Sequence, residues 1–308
     1  MISGFMIVKD VLKQGYPFVE AIASALPICD EFLISDGYST DGTYEVVKRI
    51  SSLNSKVKVY RQQWPTKKST TLLADVTNKL RSKCRFQYIL SVQANEIIHE
   101  QSAPFIKALP SMFPKVDTFS FPFIQFLNKY KFAEGFRLRF SKNYPGIVAK
   151  GDAWTLGASA TFINTKILKS FAHPRRFYYY VTKGVEFVHA NPCYDYLSRA
   201  TYLPNPIFRY WALFPKNFLE KCQSHRELFQ MAKFKKSYDA LNAHVNDPEI
   251  FWRLGAEFLE FAEGEQYPEA FGSVERKNHP AIIQEFISNP HANQYYVREE
   301  MFELLRKS

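Results

Sequence analysis

Short apolar runs alternate with helical periodicity over the first hundred residues. "SGFMIVKD" reads as a buried strand, and "YPFVEAIASALP" follows with Phe18, Ile22, Ala25 and Leu26 at helical spacing and Pro27 closing it. "DEFLIS" is a second strand, and "TYEVVKRISSL" lines Val46, Val47, Ile50 and Leu53 along one helical face. "SKVKVYRQ" alternates as a strand does, "TTLLADVTNKLRSK" reads as a helix, and "FQYILSV" is a fourth strand. Strands joined by helices of about ten to fifteen residues imply right-handed crossovers and a mainly parallel central sheet flanked by helices, an α/β class. Ligands of such sheets bind beyond the carboxyl ends of the strands. Two polar stretches fall there, Asp36 after the second strand and "QANE" after the fourth, and both are expected on the same edge of the sheet.

The pattern changes near residue 101. "QSAPFIKALPSMF" reads as a short helix, and "VDTFSFPFIQF", "FRLRFSK" and "ASATFIN" read as strands, with another pair in "FYYYVTKGVEFVHA". After about residue 205 the chain reads as helical, through "PKNFLEKCQSHRELFQMAK", "DPEIFWRLGAEFLEFAEG", "HPAIIQEFI" and "NQYYVREEMFELLRK". No internal repeat or low-complexity linker separates the parts. The expected organisation is a core over residues 1–204 and a mainly helical C-terminal extension over 205–308, packed on that core.

Composition changes this picture only at the surface. The chain has 308 residues, 46% hydrophobic and 23% charged, ordinary globular proportions with 28 Phe and 18 Tyr. A formal net charge of +10 favours anionic partners: phosphorylated small molecules, a phospholipid surface or nucleic acid. The positive charge forms no long basic tail, and no zinc-finger or RNP-type motif accompanies it, which makes nucleic acid the weaker reading. Cys29, Cys84, Cys193 and Cys222 show no CxxC spacing, as in a reduced cytosolic protein. His173, His189, His225, His244 and His279 form no HxH or HExxH pattern. The N-terminal "MISGFMIVKD" lacks the layout of a signal peptide, and no apolar run approaches a membrane span. The expectation is a cytoplasmic protein, soluble or peripheral at a membrane surface.

Four stretches offer chemistry, each with a plainer alternative. In "LISDGYSTDGT" (residues 33–43), Asp36 can accept hydrogen bonds from a base or ribose, while Ser39 to Thr43 cap the next helix. A turn in which Asp36 bonds its own backbone serves equally. In "SVQANEIIHE" (residues 91–100), Gln93, Asn95 and Glu96 are oxygen-bearing side chains of the kind that bind hard cations such as Mg²⁺ or Mn²⁺. Only Glu96 among those three is ionised, and the stretch also suits a polar loop. "KGDAWTLG" sets Asp152 beside Trp154, as in a sugar pocket where an acid takes a hydroxyl proton, or as an exposed loop acid. "FRLRF" and "FRYWALFPK" carry Arg137, Arg139, Arg209 and Lys216 among aromatics, fit to bind a diphosphate or to face solvent along a strand.

Together these stretches resemble glycosyltransferase family 2, nucleotide-sugar-dependent enzymes with a GT-A fold. "GYPFVEAIASALPICDEFLISDGYSTDGTYEVV" is similar to that family's first helix, second strand and "DGxSTDGT" segment. "TNKLRSKCRFQYILSVQANEIIHE" resembles the approach to its metal-binding acidic motif, nearest to a bacterial subgroup with a "QADE" version followed by two hydrophobic residues and "HE". The likeness continues more loosely through "FRLRF", "GDAW", "FRYWALFPKNFLEK" and "NHPAIIQEFI". It implies a GT-A, Rossmann-like sheet and inverting transfer of a sugar from a nucleotide-diphosphate donor, usually UDP-linked, to an acceptor hydroxyl. Asp36, with Ser39 and Asp41, would bind the nucleotide, and Gln93, Asn95, Arg137, Arg139 and Arg209 the diphosphate. Glu96 would hold Mn²⁺ or Mg²⁺, and Asp152 would be the catalytic base. The acceptor stays open among carbohydrate, lipid-linked and protein hydroxyls.

The departures sit in the metal motif. Most members have two or three aspartates where this chain has Gln93, Asn95 and Glu96, and the subgroup has a histidine where this chain has Arg209. Either Glu96 and the diphosphate hold the metal between them, or Arg209 and neighbouring cations take over part of its charge-neutralising role. A non-catalytic binding or scaffolding protein with a decayed metal motif is the alternative function.

Overall fold

A computed structural model of the chain describes residues 1–65, 71–114, 116–150, 153, 155–158, 198–200, 203–229, 234–263, 272–288 and 294–308. The first half alternates as expected: β1 (Ile2–Val8), α1 (Phe18–Ala25), β2 (Glu31–Asp36), α2 (Thr43–Leu53), β3 (Val57–Arg61), α3 (Leu72–Arg81) and β4 (Tyr88–Ser91). Next come β5 (Glu96–Ile98), α4 (Ala103–Met112), a long hairpin of β6 (Thr118–Leu127) and β7 (Tyr130–Lys142), and a small pair of β8 (Ile147–Lys150) and β9 (Thr155–Ala158). The remainder holds β10 (Ser198–Ala200), β11 (Ile207–Ala212), α5 (Pro215–Phe229), α6 (Phe234–Ala243), α7 (Pro248–Glu263), β12 (Gly272–Ser273), α8 (Gln284–Ser288) and α9 (Glu299–Lys307).

The central sheet runs β3-β2-β1-β4-β7-β6-β11-β5, with β10 beside β6 and β12 beside β7, while β8 and β9 pair separately. β1, β2, β3 and β4 are mutually parallel, and β11 is parallel to β6; β7 pairs antiparallel with β4 and with β6. Both faces of the parallel part are covered, which is why β1 and β2 read as almost unbroken apolar runs. Successive β2 residues point to opposite sides. Phe32 and Ile34 pack into the layer holding α1, Val47 and Ile50 of α2, and Met301, Phe302 and Leu305 of α9. Leu33 packs with Ala74 and Leu80 of α3 and Ile147 of β8. A third cluster joins Phe218 of α5, Leu241 of α6 and Phe251 and Trp252 of α7 to Leu127, Phe132 and Trp211 of the sheet.

Two differences from the sequence reading bear on the site. Residues 205–214 are not helical: β11 inserts between β6 and β5, so the sheet runs across residue 204. The Ile, Phe, Tyr and Trp of "IFRYWA" suit a pleated surface packed on both sides. Likewise "EII" forms β5 rather than part of a loop, pairing Glu96 with Arg209, Ile97 with Phe208 and Ile98 with Ile207. Pro122 sits inside β6 at the gap between residues paired to β10 (up to Ser120) and to β11 (from Phe123), where its missing N–H costs no ladder bond on that side. Of "ASATFIN" only Ala158 lies in described β9, and "FYYYVTKGVEFVHA" lies outside the described residues.

Candidate functional site

Parallel pairing of β2 and β4 with β1 sets the ends of both strands on one edge, and both polar stretches leave from that edge. In the first, Asp36 ends β2 fully buried. Its carboxylate accepts the backbone N–H of Tyr38 (3.0 Å) and of Ser39 (3.2 Å), plus Arg61 Nε at 3.2 Å. Those bonds hold Tyr38 in the left-handed region at φ 58°, a conformation a bulky residue rarely adopts. The remaining polar groups tie this turn to the β1–α1 loop. Ser39 Oγ accepts Asp10 N, Asp10 Oδ1 accepts Thr40 N, and Asp41 accepts Lys13 N and Thr43 N. Thr43 Oγ1 accepts Val11 N and Leu12 N. Asp36, Ser39 and Asp41 thus share one bonded pair of loops, and the self-bonding turn proposed for Asp36 is present.

Around that turn lies an aromatic and cationic cluster that the sequence did not single out. The Arg61 guanidinium stands 4.2 Å from the Tyr38 ring and 4.1 Å from the Tyr44 ring, and Tyr38 is 46% exposed. The Trp64 indole packs over Gly37, where an added Cβ would come within 2.7 Å of Nε1, so only glycine permits the approach. Trp64 Nε1 is buried with no hydrogen-bond partner among the described residues, and Lys9 Nζ lies 5.6 Å from the ring. The available signal was register: Arg61 ends an alternating strand and pairs directly with Asp36.

The second stretch is a buried charge cluster. Glu96, the first residue of β5, is 1% exposed, and Arg139 of β7 is 2% exposed. Arg139 Nη2 donates to Glu96 Oε1 at 2.6 Å and Arg139 Nε to Oε2 at 2.8 Å, a two-pronged pair; Gln93 N donates to Oε2 at 3.2 Å. Burial opposes ionisation of Glu96. The Arg139 charge and hydrogen bonds, the Arg209 charge and the Gln93 N–H outweigh it, holding the carboxyl below its ordinary pKa. Arg209 faces Glu96 in the β5–β11 register and donates from Nη1 to Gln125 Oε1 at 2.7 Å. Buried Gln125 was detectable as the lone polar side chain in the apolar run "FPFIQFL".

The other expected residues are less closely gathered. Gln93 meets Glu96 through its backbone, and buried Asn95 accepts Tyr210 N through its backbone carbonyl. Arg137 is 8% exposed and lies 4.6 Å from the Phe123 ring, so neither arginine of "FRLRF" faces solvent. Asp152 lies outside the described residues.

A hard divalent ion needs several oxygen ligands with free lone pairs. Glu96 is the one ionised side chain among Gln93, Asn95 and Glu96, and its charge is already paired with the buried Arg139 guanidinium. Among the described residues no group of three or more His, Cys, Asp or Glu could hold a metal ion. The described donor set does not fit Mn²⁺ or Mg²⁺ at Glu96.

Fold and site together define an α/β protein with a central, helix-flanked sheet whose carboxyl edge carries a tightly bonded acidic turn and a buried arginine–carboxylate cluster. No protein-family model matches the chain, and a comparison with curated proteins finds no match. Among solved structures it is similar to TarS 1–349 from S. aureus in complex with UDP-GlcNAc, at 16% identity over 41% of this chain and 34% of that one, TM-score 0.29. Ligand-free TarS 1–349 matches at 13% identity over 84% of this chain and 73% of that one, TM-score 0.35. The mannosyltransferase PcManGT from Pyrobaculum calidifontis in complex with GDP-Man and Mn²⁺ matches at 12% identity over 87% and 76%, TM-score 0.39. The chain spans about a third of the length of the first of these.

Proposed function

We propose that this chain is a glycosyltransferase of the GT-A type, of family 2. It binds a nucleotide-diphosphate sugar, UDP-linked, at the carboxyl edge of its sheet and transfers the sugar with inversion to an acceptor hydroxyl. The observation that carries the reading is the meeting, on one sheet edge, of the "DGYSTDGT" turn and the "QANE" stretch. Those are also the stretches that resemble the nucleotide and diphosphate motifs of the family. A nucleotide asks for ring faces, an acceptor for its base N–H and cations for its phosphates. Tyr38 and Trp64 offer the first, Asp36 the second, and Arg209 with the cluster around it the third.

Because Asp36 is buried behind the Arg61–Tyr38 stack, the base reaches it when that stack swings aside, while Ser39 and Asp41 keep the two loops joined for the ribose. Gln93, Asn95, Arg137 and Arg139 are assigned to the diphosphate. Asp152 is the base that takes the acceptor proton during attack on the anomeric carbon. A cytoplasmic enzyme working on a soluble or membrane-surface acceptor fits the net charge of +10. Among the described residues no helix is long and apolar enough to cross a membrane.

The alternative, a protein of this fold that binds the donor without turnover, draws support from the closed Glu96–Arg139 pair. Turnover separates the two. The transferase reading predicts release of nucleoside diphosphate from a UDP-sugar when a panel of acceptors is supplied, lost in Asp152→Asn with donor binding kept. Binding without release across the panel, in wild type and variant alike, supports the alternative.

A further inference from the structure

The closed pair at Glu96 bears on how a donor's diphosphate is neutralised, an inference that rests on the nucleotide reading above. We propose that Arg139 occupies on Glu96 the place of a divalent ion, and that Arg209 completes the positive charge facing the diphosphate. The donor then binds without Mn²⁺ or Mg²⁺.

Geometry supports the substitution. The Arg139 fork engages both Glu96 oxygens, at 2.6 and 2.8 Å, so the one ionised carboxylate of the acidic position is already charge-paired inside the protein. Admitting one would strand a buried guanidinium beside an incoming dication, combining lost hydrogen bonds with like-charge repulsion.

Arg139 is also built into its position. The β6–β7 ladder pairs Phe119 with Phe140 and Ser120 with Leu138, so Arg139 is the extra residue of a bulge. A bulge re-aims the side chain it carries, and this one interrupts the alternation of "FRLRF" at the residue that reaches Glu96. Arg209 lies opposite Glu96 in the neighbouring strand and is only partly buried, set by Gln125. Its planar fork matches phosphate oxygens as an ion's point charge does not.

Calorimetric titration of the full chain with UDP and GDP, in excess EDTA and then in Mn²⁺, tests the proposal. The expected affinity in EDTA lies within about threefold of that in Mn²⁺, and Arg209→Gln weakens binding at least about tenfold in EDTA. Glu96→Gln is expected to keep or tighten binding while lowering the melting temperature; should it fail to fold, Arg209→Gln decides. Binding seen only with Mn²⁺ overturns the metal-free proposal and leaves the nucleotide reading standing. Equal affinity of Arg209→Gln and wild type in EDTA overturns the role of Arg209. No binding of either nucleotide under both conditions overturns the nucleotide reading, and this proposal with it.

Discussion

The Glu96–Arg139 pair shows how a single interaction can be both costly and indispensable. Two buried charges give up hydration that their attraction only partly returns, but removing one partner leaves the other uncompensated. Arg139→Gln should therefore destabilise the fold by about 3–5 kcal/mol, measured by urea unfolding. Glu96→Leu combined with Arg139→Met should recover most of that loss, since both charges then leave together. The titration has a definite sign. Glu96 is held below its ordinary pKa, so its contribution is present above the unfolded carboxyl value and lost as pH falls through the folded one. His279 acts in the same direction for another reason. Burial among Phe126, Phe208 and Tyr210 pushes its pKa from 6.5 down to about 4, which keeps the ring neutral beside the Tyr210 hydroxyl at 2.8 Å. Between those two values the unfolded chain binds the extra proton, so stability should fall by up to roughly 3 kcal/mol as pH drops from about 6.5 to about 4. Unfolding curves across that range check it, and His279→Phe should flatten the part due to the ring. The sequence named Glu96, Arg139 and Arg209 as separate candidates. It could not pair them, because Glu96 and Arg139 lie 43 positions apart and meet through a bulge that no local pattern announces, while Arg209 joins through the β5–β11 register.

At the level of elements, the hydrophobic period made β1 through β4 and their helices legible, since β1, β2 and β4 are near-continuous buried runs, β3 alternates at the sheet edge and α2 and α3 bury one face. It was less informative where short strands sit among aromatics. "IFRYWA" lies next to a helix and is too short for its period to separate strand from helix, and only pairing with β6 and β5 makes it a strand. The C-terminal helix was legible from its spacing. In α9, Met301, Phe302 and Leu305 face α1 and α2, and Asn54 Nδ2 donates to the Leu305 carbonyl at 2.7 Å. Leu305→Ala should cost about 2–5 kcal/mol by the cavity it leaves, read from the denaturant midpoint. The turn after β2 was readable as a turn, and its partners in the β1–α1 loop and Arg61 were not, because they come from other elements.

For the whole molecule, the decisive arrangement is one sheet edge bearing an acidic turn with the exposed Tyr38 ring and, further along, a cluster of arginines around one buried carboxylate. That pairing of chemistries suits a ligand with a base at one end and phosphates at the other, better than it suits a duplex or a single strand. Nucleic acid would bind with steep salt dependence and no preference for UDP. The most direct measurement is a thermal-shift screen of the full chain against nucleotide-sugars, since a ligand that binds only the folded state must raise the melting temperature. A saturable rise with UDP-sugars that persists in EDTA and is lost in Asp36→Ala is expected. A melting temperature unmoved by every nucleotide-sugar, with or without Mn²⁺, would rule out the nucleotide-sugar site.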